Sequence, residues 1–82
     1  MSKKTTTVAK VTDIDNIRIG LIVAGARERR YLTVDNLATY IGCDHSTLTG
    51  YEVGRRPIPA NRIPRLAEAL GIDARILDRN AA

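Results

Sequence analysis

The sequence contains few of the residues that build disulfide scaffolds, metal centres and membrane spans. Its 82 residues include one cysteine, one histidine, no tryptophan and no phenylalanine. A single cysteine excludes an internal disulfide, and one histidine with one cysteine supplies too few ligands for a typical zinc site. No apolar run approaches the roughly 20 residues that cross a bilayer. We therefore expect one cytoplasmic domain without a metal, cofactor, small-molecule ligand or membrane attachment.

The residues that catalysis would need are also scarce. Cys43, Asp44 and His45 are neighbours in the sequence, but adjacent side chains at a turn point in different directions and do not form a nucleophile and its base. No second histidine is present, and no glycine-rich phosphate loop ends in a lysine. The basic first residues are not followed by an apolar segment, so no secretory signal is expected. We predict that the protein is not an enzyme.

Basic charge is abundant, and it is concentrated in two blocks. The net charge is +4; residues 1–10 carry three lysines and no acid, and residues 55–65 carry four arginines and no acid. The remaining stretches are slightly acidic. Basic charge confined to particular segments indicates surfaces that meet phosphates, as in nucleic-acid-binding proteins.

Apolar periodicity predicts two short helices joined by a tight turn in the middle of the chain. Thr33 is the expected N-cap of a helix over 34–41, and Gly42 follows it as a left-handed helix end. Asp44 is the expected N-cap of a second helix from His45 to residue 52 or 53, which Gly54 ends. A helix of about 14 to 29 or 30 precedes this pair, with glycines that permit close approach of another element.

The remaining segments flank this pair of helices. Residues 57–59 are expected to be an extended linker, followed by a helix from 60 or 61 to 70 with Pro64 in its first turn. A short fifth helix from 74 to 77 or 78 closes the core. Residues 1–12 are expected to form a flexible basic arm or an edge strand, residues 13–78 the folded domain, and residues 79–82 a frayed tail.

In order and spacing, the residues resemble the helix-turn-helix domain of Cro-like phage repressors and XRE-type regulators. The matching residues are Arg27, Leu32-Thr33, Leu37-Ala38, Gly42, Thr47-Leu48-Thr49, Glu52, Gly54-Arg55, Pro57 and residues 66–72. The resemblance implies an all-α fold, a compact five-helix bundle, with sequence-specific binding of double-stranded DNA. It also implies a homodimer on a near-palindromic operator, most simply as a repressor, with recognition helix 45–53 in the major groove.

Carried onto this chain, the resemblance assigns residues to three roles. The base-reading positions are Asp44, His45, Ser46, Thr49 and Gly50, with Asp44 favoured as a helix cap. The phosphate contacts are Thr33, Asn36, Thr47, Tyr51, Arg55, Arg56, Lys3 and Lys4. Arg27 and Glu52 match a pair that locks the first helix to the recognition helix.

Two positions depart from the family pattern. Many relatives carry a long polar side chain at the position of Gly50, so we expect the glycine to bring bare backbone close to the DNA. Val34 replaces a glutamine that often contacts phosphate in relatives, so other groups must supply that contact.

A second function is open from the same residues. Some domains of this fold bind mainly a partner protein, as antitoxins or phage adaptors do. The basic residues that follow the recognition helix favour DNA over this alternative.

Overall fold

In a computed structural model of the protein, residues 3–78 form four α-helices and two 3₁₀ turns. The structure describes the backbone of residues 3–78 and the side chains of residues 14–78. The α-helices are α1 (Lys3–Arg29), α2 (Val34–Ile41), α3 (His45–Val53) and α4 (Ile63–Leu70), and the 3₁₀ turns are Ala60–Arg62 and Ala74–Leu77. The all-α class is confirmed, but the expected fifth helix is a 3₁₀ turn.

Helix α1 begins eleven residues earlier than the sequence pattern predicts. It starts at Lys3 rather than near Ile14, so residues 3–12 are helical and the expectation of an edge strand there is wrong. Neither glycine nor proline occurs between Lys3 and Gly20, so nothing interrupts the backbone hydrogen bonds of a helix. The threonines lower helix propensity by only about 0.7 kcal/mol each at most.

The ends of the helices follow from local chemistry. Tyr31 adopts a left-handed conformation with φ of 57°, and its N–H donates to the Glu28 oxygen over 3.0 Å, which ends α1. Pro64 lies in the first turn of α4, where a missing N–H costs no helical hydrogen bond. The residues before it form the 3₁₀ turn Ala60–Arg62, so α4 starts at Ile63, at the late end of the range 60–63 that the position of Pro64 predicts.

One apolar core joins the elements. Its buried members come from all four α-helices and the last 3₁₀ turn: Ile19, Val23, Ala26, Leu37, Ala38, Ile41, Leu48, Tyr51, Leu66, Ala67, Leu70 and Leu77. Helix α1 crosses α3 at Gly20, where a Cβ atom would overlap the backbone oxygens of Tyr51 and Glu52. The core therefore holds α3 against α1 by one side and leaves its other side outward.

Within the described residues, no helix is both long enough and apolar enough to cross a membrane.

Candidate nucleic-acid interface

Helices α2 and α3 are joined by a turn whose caps are formed by side chains and by a glycine. The Thr33 hydroxyl accepts a hydrogen bond from the Asn36 N–H over 3.0 Å at the start of α2. Gly42 ends α2 with φ of 82°, in the left-handed conformation that favours glycine. The Asp44 carboxylate accepts from the Thr47 N–H over 2.8 Å at the start of α3. The predicted helix-turn-helix is therefore formed with both predicted N-caps.

Asp44 caps the start of α3, although the family pattern also places it among the base-reading residues. The hydrogen bonds from the side chain and backbone of Thr47, with a smaller contribution from the charge of Arg56, hold the pKa of Asp44 below its usual value. A carboxylate held ionised at the positive end of a helix stabilises that end. Its charge opposes phosphate, so the structure favours the capping role.

The two faces of α3 differ in character. Leu48 and Tyr51 are buried in the core, whereas His45 and Ser46 at the first turn are exposed. Thr47 and Thr49 are half-buried beside them. The exposed first turn of a helix of this motif is where base edges are contacted in the major groove. His45 and Ser46 are thus presented as the sequence indicates.

His45 has a partner that the sequence does not predict. Its Nδ1 atom lies 2.7 Å from Oδ1 of Asp35 on α2, and both side chains are exposed. The hydrogen bond places a proton on Nδ1 and leaves Nε2 as the ring nitrogen available to DNA. The two residues are ten apart in sequence, and neither apolar periodicity nor a cap motif relates them.

Gly50 does not present bare backbone. It is buried, and a Cβ atom placed there would lie 2.9 Å from Cδ of Arg56. The aliphatic part of the Arg56 side chain therefore covers this position. A side chain from the following loop fills the space at this position, and the approach of the glycine backbone to DNA stays a prediction.

Tyr51 is also placed differently from the prediction. Its ring is 3% exposed, and its hydroxyl accepts a hydrogen bond from Nη1 of Arg62 over 2.9 Å. Nη2 of Arg62 also donates to the Gly42 carbonyl over 3.2 Å. Tyr51 is therefore a core residue rather than a phosphate contact. The periodicity that buries Leu48 also favours burial three residues later, but the sequence contains no sign of the arginine partner.

Arg27 and Glu52 form the expected ion pair between α1 and α3. Nε of Arg27 lies 2.6 Å from one carboxylate oxygen of Glu52, and Nη2 lies 3.2 Å from the other. The Arg27 side chain is 14% exposed and the Glu52 side chain 9%. Nη1 of Arg27 also donates to the Leu32 carbonyl over 2.9 Å, so one guanidinium joins α1, α3 and the segment before α2.

The remaining candidates for phosphate contact lie at two places. Thr33 and Asn36 are exposed at the start of α2 and hydrogen-bond to each other. Arg55 and Arg56 are exposed just after α3, and both backbone N–H groups donate to the Gly50 carbonyl. The side chains of Lys3 and Lys4 lie outside the described residues. Val34 is half-buried against the core, which explains an apolar residue at that position.

Three further features concern other kinds of site: metal ligands, the cysteine thiol and a cavity. Among residues with described side chains, no group of three or more histidine, cysteine or acidic residues is arranged to hold a metal ion. Burial raises the pKa of the Cys43 thiol, which keeps it protonated and weakly nucleophilic at neutral pH. A cavity of about 330 Å³ lies between α2 and α4, lined in part by Tyr40, whose hydroxyl donates to Glu68.

An exposed first turn on a capped helix, held by a core and followed by arginines, defines a helix-turn-helix DNA-binding module. The chain belongs to the helix-turn-helix family, because residues 18–79 match that family's domain. The expected resemblance to XRE-type regulators is thereby confirmed.

A solved relative has a similar fold. The restriction-modification controller protein C.AhdI from Aeromonas hydrophila is 32% identical, with a TM-score of 0.72, over 80% of this chain and 96% of that chain. A comparison with curated protein sequences found no match. Family and fold together identify a DNA-binding transcriptional regulator and point away from an enzyme.

Proposed function

We propose that the protein is a small homodimeric regulator that occupies a near-palindromic operator with α3 in the major groove of each half-site. The observation that carries this proposal is the capped first turn of α3. His45 and Ser46 are exposed there, while Leu48 and Tyr51 anchor the same helix in the core. A base-reading helix must be rigid on one side and open on the other, and α3 has both properties.

His45 and Ser46 are the proposed base contacts, with Thr49 beside them. The free Nε2 of His45 and the Ser46 hydroxyl can pair with base edges in the major groove. Thr33, Asn36, Thr47, Arg55 and the lysines near the start of α1 are proposed to contact phosphates. Phosphate contacts set affinity and its dependence on salt, and base contacts set sequence preference.

A dimer is proposed because one α3 helix contacts only one short half-site. Helix-turn-helix proteins reach useful specificity by placing two such helices about one helical turn apart on DNA. Exposed apolar side chains are available for a twofold contact on α1, where Ile14 and Leu21 are 59% and 66% exposed, and on the last 3₁₀ turn, where Ile76 is 44% exposed. The alternative function, a domain that binds mainly a partner protein, would need no operator.

The similarity to a restriction-modification controller makes the genes of such a system the first regulatory targets to test for this chain. The direction of control, repression or activation, is an outcome of that test. A repressor that only occupies its operator is the simplest form, and it would act in the cytoplasm, where the DNA is.

Selection of bound sites from a random duplex library tests the proposal. We expect an enriched motif with two inverted half-sites whose centres lie about 10 base pairs apart. His45→Ala should change the preferred base at one position in each half-site. Arg75→Ala, which removes a basic side chain from the last 3₁₀ turn, is the control and should keep the motif. Enrichment of no sequence would favour the adaptor, and a single unpaired half-site would contradict the dimer.

A further inference from the structure

Gly50 lies on the outward face of α3, yet it is buried. Residues four and three apart share a helix face, so Ser46, Gly50 and Val53 form one stripe. Ser46 and Val53 at the two ends of this stripe are exposed, Val53 by 54%. A glycine between two exposed residues becomes buried only if another part of the chain covers it.

The covering group is the aliphatic part of the Arg56 side chain. A Cβ atom at Gly50 would lie 2.9 Å from Cδ, 3.2 Å from Cγ and 3.3 Å from Nε of Arg56. These distances are too short for any residue larger than glycine unless the arginine moves. The side chain of Arg56 therefore occupies the space that a side chain at position 50 of α3 would take.

The backbone of Arg56 is fixed in a way that directs its side chain back along α3. Gly54 ends the helix in the left-handed conformation with φ of 83°. The N–H groups of Arg55 and Arg56 then both donate to the Gly50 carbonyl, over 2.9 and 3.2 Å. The loop thus folds against the last turn of α3, and Arg56 starts directly beside the residue that it covers.

The charged end of Arg56 remains outward and acts on the first turn of α3. Arg56 as a whole is exposed although its methylene groups cover Gly50. Its positive charge acts on Asp44, at the start of the helix, in addition to the hydrogen bonds from Thr47. Nε of Arg56 lies 3.3 Å from the Cβ position of Gly50, so the guanidinium begins beside the residue that shares a helix face with Ser46.

We propose that Arg56 is a base-reading residue that selects guanine. The absence of a side chain at Gly50 leaves the room in which the Arg56 side chain lies against α3. This inference rests on the proposed function of α3 as the recognition helix. A guanidinium on this face can donate two parallel hydrogen bonds to O6 and N7 of a guanine in the major groove. Its stem is already held by the helix, so less side-chain entropy is lost on binding than for a free arginine.

The test is selection of bound sites from a random duplex library with four proteins: the original chain, Arg56→Ala, Arg56→Lys and the adjacent control Arg55→Ala. Arg56→Ala should lose preference for guanine at one position in each half-site by about 5- to 150-fold. Arg56→Lys keeps the charge but loses the planar pair of donors, so it should keep the salt dependence of binding and retain only part of the guanine preference. Arg55→Ala should weaken all sequences equally and keep the motif.

Gly50→Ala provides a second measurement that leaves Arg56 in the chain. The new methyl group should displace the arginine stem, so guanine preference should fall as it does in Arg56→Ala, while circular dichroism and the melting temperature show an intact fold. A uniform loss of affinity in Arg56→Ala, with an unchanged motif, would make Arg56 a phosphate contact and overturn this inference alone. If the original chain selects no sequence, the proposed function fails and this inference fails with it.

Discussion

At the scale of the residue, the bond between Arg27 and Glu52 is the interaction with the largest expected effect on stability. Two nitrogen atoms of Arg27 donate to the two carboxylate oxygens of Glu52, and little of either side chain is exposed. The hydrogen bond and charge of Glu52 raise the pKa of Arg27, so its guanidinium remains charged at neutral pH. Removal of one partner therefore leaves a buried charge without its counter-charge.

Glu52→Ala should lower the free energy of unfolding by about 3 kcal/mol, because the Arg27 charge would be stranded. Glu28 is the matched control: its carboxylate is 3.9 Å from Arg27, but its side chain is 71% exposed. Glu28→Ala should change stability by less than about 1 kcal/mol. Urea unfolding followed by circular dichroism measures both, and equal losses would show that the Glu52 pair contributes nothing particular.

Residue roles could be predicted where they depend on near neighbours. The caps formed by Thr33 and Asp44 were predicted because a cap relates residues two or three apart. The contacts of Arg56 with Gly50, of Arg62 with Tyr51 and of His45 with Asp35 were not, because each depends on how two elements meet. Arg27 and Glu52 were paired only through a family resemblance.

At the scale of the element, the position of α3 depends on how closely α1 approaches it. The crossing occurs at Gly20, where the backbone oxygens of Tyr51 and Glu52 occupy the place of a Cβ atom. Backbone atoms at a crossing cannot rotate away as a side chain can. Gly20 therefore fixes the distance between the two helices, whereas Gly25, further along α1, has only the end of the Arg29 side chain within 3.5 Å.

Gly20→Ala should destabilise the protein by about 1–3 kcal/mol, because α3 must shift to admit the methyl group. Gly25→Ala makes the same change in the same helix and should stabilise the protein by up to about 1 kcal/mol through helix propensity. Thermal melting of both variants provides the comparison. A melting temperature that rises for Gly20→Ala as well would contradict the close crossing.

Helix boundaries could be predicted well where an N-cap residue begins the helix and a glycine ends it. The bounds of α2 and α3 agree with the prediction because Gly42, Gly54 and the two N-caps mark them. The start of α1 could not be predicted, since residues 3–13 have no helical apolar pattern and only lack helix breakers. The last element was expected to be α-helical, but four residues after Asp73 form a 3₁₀ turn.

At the scale of the whole molecule, the four arginines of residues 55–65 are not all available to DNA. Arg62 hydrogen-bonds to Tyr51 and to the Gly42 carbonyl. Arg65 lies 5.4 Å from the centre of the Tyr40 ring and donates to the Tyr40 carbonyl. The number of arginines in this block is therefore larger than the number that can contact phosphates. The lysines near the start of α1 are a second source of basic charge for phosphate contacts.

Deletion of residues 2–10 tests whether the lysines near the start of α1 contact phosphates. We expect the slope of log affinity against log salt to fall by about 0.9 for each phosphate that the protein no longer neutralises, or by about 2 for Lys3 and Lys4 of one subunit and about 4 for a dimer. The melting temperature should change little, because the first buried residue among the described side chains of α1 is Asn16, which the deletion leaves in place. Light scattering gives the dimer mass of the same sample. A monomer would place the start of α1 in the subunit contact, and an unchanged salt dependence would contradict the lysine contacts.

The small size of α3 has a consequence for the lifetime of the protein in the cell. A nine-residue helix is not stable alone in water, so α3 persists only while Leu48 and Tyr51 remain in the core. The unfolded chain, which proteases degrade, therefore has no surface that fits an operator. By mass action, binding to the proposed operators would withdraw molecules from the unfolded population. Copies bound to DNA should thus outlive free copies, so surplus regulator is degraded first once its operators are full.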